Sequence, residues 1–411
     1  MERLPPQPWM TASATRAVVN ALTAGGGEVR FVGGCVRDAL AGRPVIDIDI
    51  ATPDRPERVI ELLKAAGLKA VPTGIEHGTV TAVAEHRPFE ITTLRRDVET
   101  YGRRAKVAFT DDWAADAARR DFTFNALSCT PDGRIYDPFG GIADLNARHV
   151  RFVGNAEERI REDVLRLLRF FRFYAHYGAP PPNGEALAAI EAMAPLLPTL
   201  SGERIAKETL KLLAAPDPSD TLRLMAEHRV LAHFLPEAQR LDRLARLAAL
   251  ERQLGLPAEP ARRLAAMIEG GPAAAHAVAK RLRLSNALRD RIVDAVGVPA
   301  PAPVFGGAWL RALRYQLSPV AYRDRALIAW AETSDVSAQD DWRALLAIAD
   351  WQPPVFPIRA QDALDRGAVP GPALGALLQA LERWWIAGDF KADRRACLAE
   401  LAARLRRETD R

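Results

Sequence analysis

Residues 31–50, FVGGCVRDALAGRPVIDIDI, decide how the rest of the chain is read. The stretch ends in a run with strand-like alternation, residues 45–51. Strand side chains have a period of two, so Asp47 and Asp49 are expected on one face and Ile46, Ile48 and Ile50 on the other. Two carboxylates held close together repel each other, and a divalent cation between them relieves that repulsion. Upstream, Gly33-Gly34 follows the apolar Phe31-Val32 and opens a helical run, residues 35–40. Glycines let backbone amides approach a phosphate, and a helix N-terminus favours its negative charge. Arg37, one turn in, would face the same anion. A Gly-Gly alone is usually a turn, and an Asp-x-Asp alone is often the polar face of an edge strand. In this order they make a phosphate cradle, an arginine and a metal-binding pair, the parts of a nucleotidyl-transfer site.

Outward from this stretch, the pattern gives an α+β head. A helix over 11–23 buries Ala14, Val18, Ala21 and Leu22, a strand over 29–32 leads into the glycines, and a helix follows at 55–66. Two strands, 78–84 and 87–94, come next. Glu90 lies on the second and faces away from Phe89 and Ile91. Residues 95–112, RRDVETYGRRAKVAFTDD, have few apolar side chains and read as a long, functional loop. Residues 114–127 read as one helix carrying Arg119, Arg120, Asp121 and Asn125.

From residue 155 nearly everything reads as helix. Residues 156–178 form one long helix with Ile160, Val164, Leu167, Leu168 and Phe171 inward. Asp163, Arg166, Arg169 and Arg172 fall three apart on an oblique stripe; the plain alternative is a solvated, salt-bridged face with Glu162 bonding Arg166, but one acid against three arginines without matched partners points to an anion. Helices are expected at 185–194, 202–214 and 220–232, and Pro/Gly linkers at 297–307 and 351–357.

The bulk properties agree. A chain of 411 residues needs several domains, and 48% hydrophobic content with 7% aromatics suits a largely helical one. Net charge is +4, with clustered arginines that suit a polyanion. Cys35, Cys129 and Cys397 show no zinc or disulfide spacing, which fits a reducing cytoplasm. No apolar run reaches the length of a membrane span.

These motifs resemble the class II tRNA nucleotidyltransferases, the bacterial CCA-adding enzymes and their poly(A) polymerase cousins of the DNA polymerase beta-like superfamily. GGCVRDALAG with DID is similar to the family's first motif, RRDFTFNAL (119–127) to its second, and REDVLRLLRFFR (161–172) to its nucleotide-selecting motif. Residues 367–390 are similar to the tail of many bacterial members. The resemblance implies a head (1–154), then an all-helical neck (155–215), body (216–300) and tail (301–411) that hold tRNA. It implies CTP and ATP as donors, Mg2+ as cofactor, tRNA rather than DNA as partner, and no template. Asp47 and Asp49 look like the metal ligands. Glu90 is either a third ligand or a hydrogen-bonding neighbour. Gly33, Gly34 and Arg37 would meet phosphates, and Arg119 or Arg120 would bind nucleotide with Asn125 in support. Asp163 and Arg166 would read the base, helped by Arg169 and Arg172. Residues 97–109 resemble the family's flexible loop for A addition, although Tyr101 stands where an acidic residue is usual. Cys35, Phe124 and Trp384-Trp385 read as packing. A poly(A) polymerase, a CC- or A-only enzyme, and a non-catalytic tRNA-binding module are the alternatives.

Overall fold

The computed structural model describes residues 2–101, 104–333 and 339–409, with side chains omitted for 97–107 and 408–409. It forms two compact units, Met1–Pro236 and Glu237–Arg411. The fold class is α+β, as expected.

The first unit opens with α1 (Pro8–Thr11), α2 (Ser13–Thr23), β1 (Arg30–Val32), α3 (Gly34–Leu40) and β2 (Asp49–Thr52). Next come α4 (Pro56–Ala65), β3 (Lys69–Gly74), β4 (Thr79–Ala84) and β5 (Arg87–Thr93). The head continues with β6 (Arg95–Tyr101), β7 (Arg104–Phe109), α5 (Trp113–Ala118), β8 (Ser128–Cys129), β9 (Ile135–Tyr136) and α6 (Gly141–Asn146). Seven strands make one sheet in the order β3-β4-β5-β2-β1-β8-β9. β2 pairs antiparallel with β1 and parallel with β5, in a register that sets Asp49 beside Glu90. The period-two reading holds on β4 and β5. Val80, Ala82, Phe89 and Ile91 are buried while Glu90 is exposed. Each large apolar side chain so buried contributes about 1.5–3 kcal/mol.

Four local readings are corrected. The carboxylate strand begins at Asp49, not residue 45, and Ile46 is 82% exposed instead of packed with Ile48 and Ile50. Strand β3 was not expected from the sequence at all. The segment 95–112 is not a loop but is mostly the two-stranded ribbon β6–β7. Strand pairing uses backbone groups, so a polar sequence can form it. Gly102 and Arg103 lie outside the described residues, and so does the Tyr101 side chain. Finally, the helix expected over 114–127 ends at Ala118, and Asn125 sits in a separate 3-10 turn, Thr123–Asn125.

The rest of this unit is helical: α7 (Ala156–Glu162), α8 (Leu165–Tyr177), α9 (Gly184–Met193), α10 (Gly202–Leu213), α11 (Ser219–Glu227) and α12 (Val230–Phe234). The long helix expected over 156–178 is therefore two. Asp163 is extended between them (φ −151°, ψ 105°), and its carboxylate accepts from the Leu165 N–H at 3.2 Å. A short acidic side chain offers the backbone this alternative to helix continuation. The helix expected over 220–232 is likewise split, at Arg229. An aromatic cluster fixes α8 against the turn that follows α5. Phe173 lies 5.2 Å from Phe122 and 5.5 Å from Phe124, and Phe170 lies 6.0 Å from Phe152.

The second unit contains α13 (Leu241–Gln253), α14 (Pro260–Met267), α15 (Gly271–Arg281), α16 (Asn286–Ala295), α17 (Gly307–Gln316) and α18 (Pro319–Glu332). It ends with α19 (Gln339–Ala347), α20 (Ala360–Leu364), α21 (Pro372–Ala387) and α22 (Arg394–Thr409). Its inner helices share a buried ion network. Glu251 accepts from Arg262 at 2.8 Å and from Arg263 at 2.7 Å, and Asp324 joins Arg262 to Arg291. Trp385 is buried with Leu377, Leu381, Cys397 and Leu401. No helix among the described residues is long and apolar enough to cross a membrane.

Candidate active site

The site is built where β1 meets α3. Gly33 has φ +67°, so the backbone calls for glycine, and a Cβ there would lie 2.9 Å from an Arg120 guanidinium nitrogen and displace it. Gly34 has ordinary clearance. Arg37, buried one turn later, donates through Nε and Nη2 to Asp38 at 2.9 and 3.0 Å and through Nη1 to Asn125 at 2.6 Å. The Asn125 amide in turn donates to Asp121 at 2.9 Å.

Asp121 is the hub of this arrangement. It also accepts from the Phe122 N–H at 2.9 Å and from Arg169 Nε at 2.6 Å. Burial works to raise its carboxyl, but Arg169 and the Asn125 hydrogen bond hold it below the usual range. Asp116 plays the same part for the other arginine pair. It binds Arg119 at 2.7 Å and Arg120 at 3.4 Å, and they hold its carboxyl down against burial.

The arginine stripe is not unmatched, contrary to the sequence reading. Arg166 pairs with Glu162 at 2.5 Å, Arg169 with Asp121, and Arg172 with Glu208 at 2.6 Å. Arg166 also donates to the carbonyls of Arg159 and Arg119. Asp163, off the helix, is gripped by Arg204 at 2.7 and 3.0 Å.

Twelve of the thirteen candidate residues nevertheless line one cavity of about 680 Å3. They are Gly33, Gly34, Arg37, Asp47, Asp49, Arg119, Arg120, Asn125, Asp163, Arg166, Arg169 and Arg172. That volume suits a nucleotide-sized ligand. Eight lining cations, Arg204 and Lys211 among them, face five lining carboxylates, so the cavity favours an anion. Glu90 is outside the lining but close enough to act on Asp49. Burial first, then the charges of Glu90 and Asp47, push the Asp49 carboxyl up to about 6. No group of three or more His, Cys, Asp or Glu among the described residues forms a ready metal cage.

Sequence reasoning assigned no role to Asp38, Asp121, Arg204, Glu208 or Lys211. Arg204, Glu208 and Lys211 sit within SGERIAKETLK at helical spacing on α10, a signal that could have nominated a second charged face.

Comparison with known proteins accords with this arrangement. Residues 29–151 match the model of the Poly A polymerase head domain, and residues 183–241 match that of the probable RNA and SrmB-binding site of polymerase A. The chain is 33% identical over 373 residues to the mitochondrial CCA tRNA nucleotidyltransferase 1 of Mus musculus, covering 89% of this chain and 85% of the mouse protein. It is 33% identical to the CCA-adding enzyme of Latilactobacillus sakei, over 89% of this chain and 91% of that one. The Bacillus stearothermophilus CCA-adding enzyme, solved in complex with CTP, superposes with a TM-score of 0.79 at 29% identity, covering 99% of this chain and all of that one. With its carboxylate pair and arginines gathered on one cavity, this chain belongs to the class II CCA-adding tRNA nucleotidyltransferases.

Proposed function

We propose that this protein adds C, C and A in turn to the 3′ end of tRNA, without a template, from CTP and ATP with release of pyrophosphate. The observation that carries the proposal is the single cavity that combines Asp47 and Asp49 with Gly33, Arg37 and the α8 arginines. Asp47 and Asp49 fit Mg2+. They are hard oxygen donors, crowded enough to raise one of them, and Mg2+ takes one or two carboxylates together with substrate phosphates instead of an all-protein cage. When bound there, the metal supplies charge stabilisation at the α-phosphate and activation of the RNA 3′-hydroxyl.

The protein's own groups do the remaining work. The Gly33-Gly34 turn and Arg37 hold the triphosphate, and Arg119, Arg120, Arg169 and Arg172 balance its charge. Asp163 accepts from cytosine N4 or adenine N6, and Arg166 donates to the neighbouring ring acceptor. Arg166 engages three acceptors within the protein, which leaves two of its five N–H groups for a base. Guanine and uracil invert the donor–acceptor pattern and would leave these groups unpaired, so they are rejected. The β6–β7 ribbon is assigned to A addition, residues 155–215, 216–300 and 301–411 to neck, body and tail, and the latter two to tRNA contact. A cytoplasmic setting accords with three free, buried cysteines.

The test is incorporation by purified protein with Mg2+ and tRNA lacking CCA, given CTP and ATP separately and together. A product three nucleotides longer, ending in CCA, is expected. A long A tract, or a stop at CC or at A alone, would refute CCA addition. No product with tRNA still bound would refute catalysis.

A further inference from the structure

Tyr177, the last residue of α8, lies far from Arg37 in sequence but against it in space. The Arg37 guanidinium is 4.6 Å from the Tyr177 ring centroid and 5.0 Å from that of Phe173. The Tyr177 hydroxyl donates to Asp38 Oδ1 at 2.5 Å, and Asp38 is the carboxylate that holds Arg37 through Nε and Nη2. A second cation reaches the same ring. Arg43, on the loop that runs on to Asp47, sits 4.1 Å from its centroid and donates to the His176 carbonyl of α8. Three hydrogen bonds, to Asp38 and Asn125, therefore fix the Arg37 fork, and one hydrogen remains on each Nη for a ligand in the cavity.

A free arginine side chain carries about 2 kcal/mol of rotamer entropy, so an arginine fixed before the ligand arrives binds phosphate more tightly. A positive neighbour would repel Arg37, but Asp38 is placed to balance both. We infer that Tyr177 and Asp38 are positioning residues for the nucleotide triphosphate, acting through Arg37, and that Tyr177 also ties Arg37 to the loop that carries Arg43 and Asp47. This inference rests on the phosphate role proposed for Arg37.

The test is a double-mutant cycle read in steady-state kinetics with CTP and with ATP. Tyr177→Phe keeps the ring, and hence the packing, and removes the hydroxyl. It should raise KM for both nucleotides about threefold to tenfold, less than a full charge-assisted hydrogen bond because the hydroxyl acts on the nucleotide only through Asp38 and Arg37, with kcat within about twofold and tRNA affinity unchanged. Asp38→Asn should raise KM further. In an Arg37→Ala background, whose own KM is more than tenfold higher, Tyr177→Phe should add less than about twofold, because the partner it orients is gone. If Tyr177→Phe leaves KM unmoved, or raises it equally with and without the Arg37 side chain, the inference is overturned while the Arg37 assignment stands. If Arg37→Ala itself leaves KM unmoved, the phosphate role of Arg37 falls and the inference falls with it.

Discussion

Replacing Asp49 with asparagine should stabilise the metal-free protein while destroying its activity. The Asp49 carboxyl is pushed from 3.8 to about 6 by burial and by Glu90 and Asp47. The folded state thus holds this proton more tightly than the unfolded chain does, and an ionised Asp49 opposes folding. The penalty is almost absent below pH 4, grows between pH 4 and 6, and is constant above 6. A rise from 3.8 to about 6 is worth at most about 3 kcal/mol, and relaxation of the exposed Asp47 and Glu90 reduces that to roughly half. Asparagine avoids the penalty, and for a unit of this size about 1.5 kcal/mol raises Tm by about 3–6 °C. Thermal unfolding in a chelator at pH 4 and pH 8 is the assay. Asp49→Asn should melt higher than wild type at pH 8 and close to it at pH 4. Mg2+ should raise the Tm of wild type at pH 8 and leave that of the variant in place, since the ion needs the ionised ligand. A variant no more stable than wild type at pH 8, or equally stabilised at both pH values, would refute the crowding argument.

Asp121→Ala should be severely destabilising, by about 3–5 kcal/mol, because it strands Arg169 and Asn125 in a buried site; a denaturant titration reads the loss. In wild type the lowered Asp121 carboxyl contributes stability above about pH 4 that is lost as pH falls through its depressed value, so the variant's deficit should shrink in acid. Asp163→Ala should increase use of UTP and GTP relative to CTP and ATP more than it changes tRNA affinity, measured by competing-nucleotide incorporation. Gly33→Ala forces a side chain into positive φ and against Arg120, costing about 1–2 kcal/mol and raising nucleotide KM. The logarithm of tRNA affinity should fall linearly with the logarithm of salt concentration in a filter-binding assay, as phosphate contacts require.

What the sequence revealed and what it concealed divide along a physical line. Alternation exposed β4 and β5 because half their side chains are buried, and Gly33 announced its turn because its positive φ favours glycine. Pairings across the chain left no local trace. Asp121 meets Arg169 across 48 residues and Arg204 meets Asp163 across 41. A reading confined to one helix therefore saw Arg169 and Arg172 without partners, while the pair of Arg166 with Glu162, four residues away, was within its reach. The helix break at Asp163 was hidden for a related reason. Its neighbours are good helix formers, and only the side chain's bond to the Leu165 N–H and its grip by Arg204 pull it out of line. The β6–β7 ribbon was missed because its pairing is carried by main-chain groups.

The extended residue between α7 and α8 takes Asp163 out of the helical register that carries Arg166, Arg169 and Arg172. In an unbroken helix, any turn of Asp163 would drag those three arginines with it by the same angle. Here α8 is anchored by phenylalanines, while Asp163 hangs on a joint closed by Arg204. The joint lets the Asp163 carboxylate be set apart from the α8 arginines, the proposed base partner Arg166 among them. On the role proposed for Asp163, that residue and its partner Arg204 are the place to alter base choice.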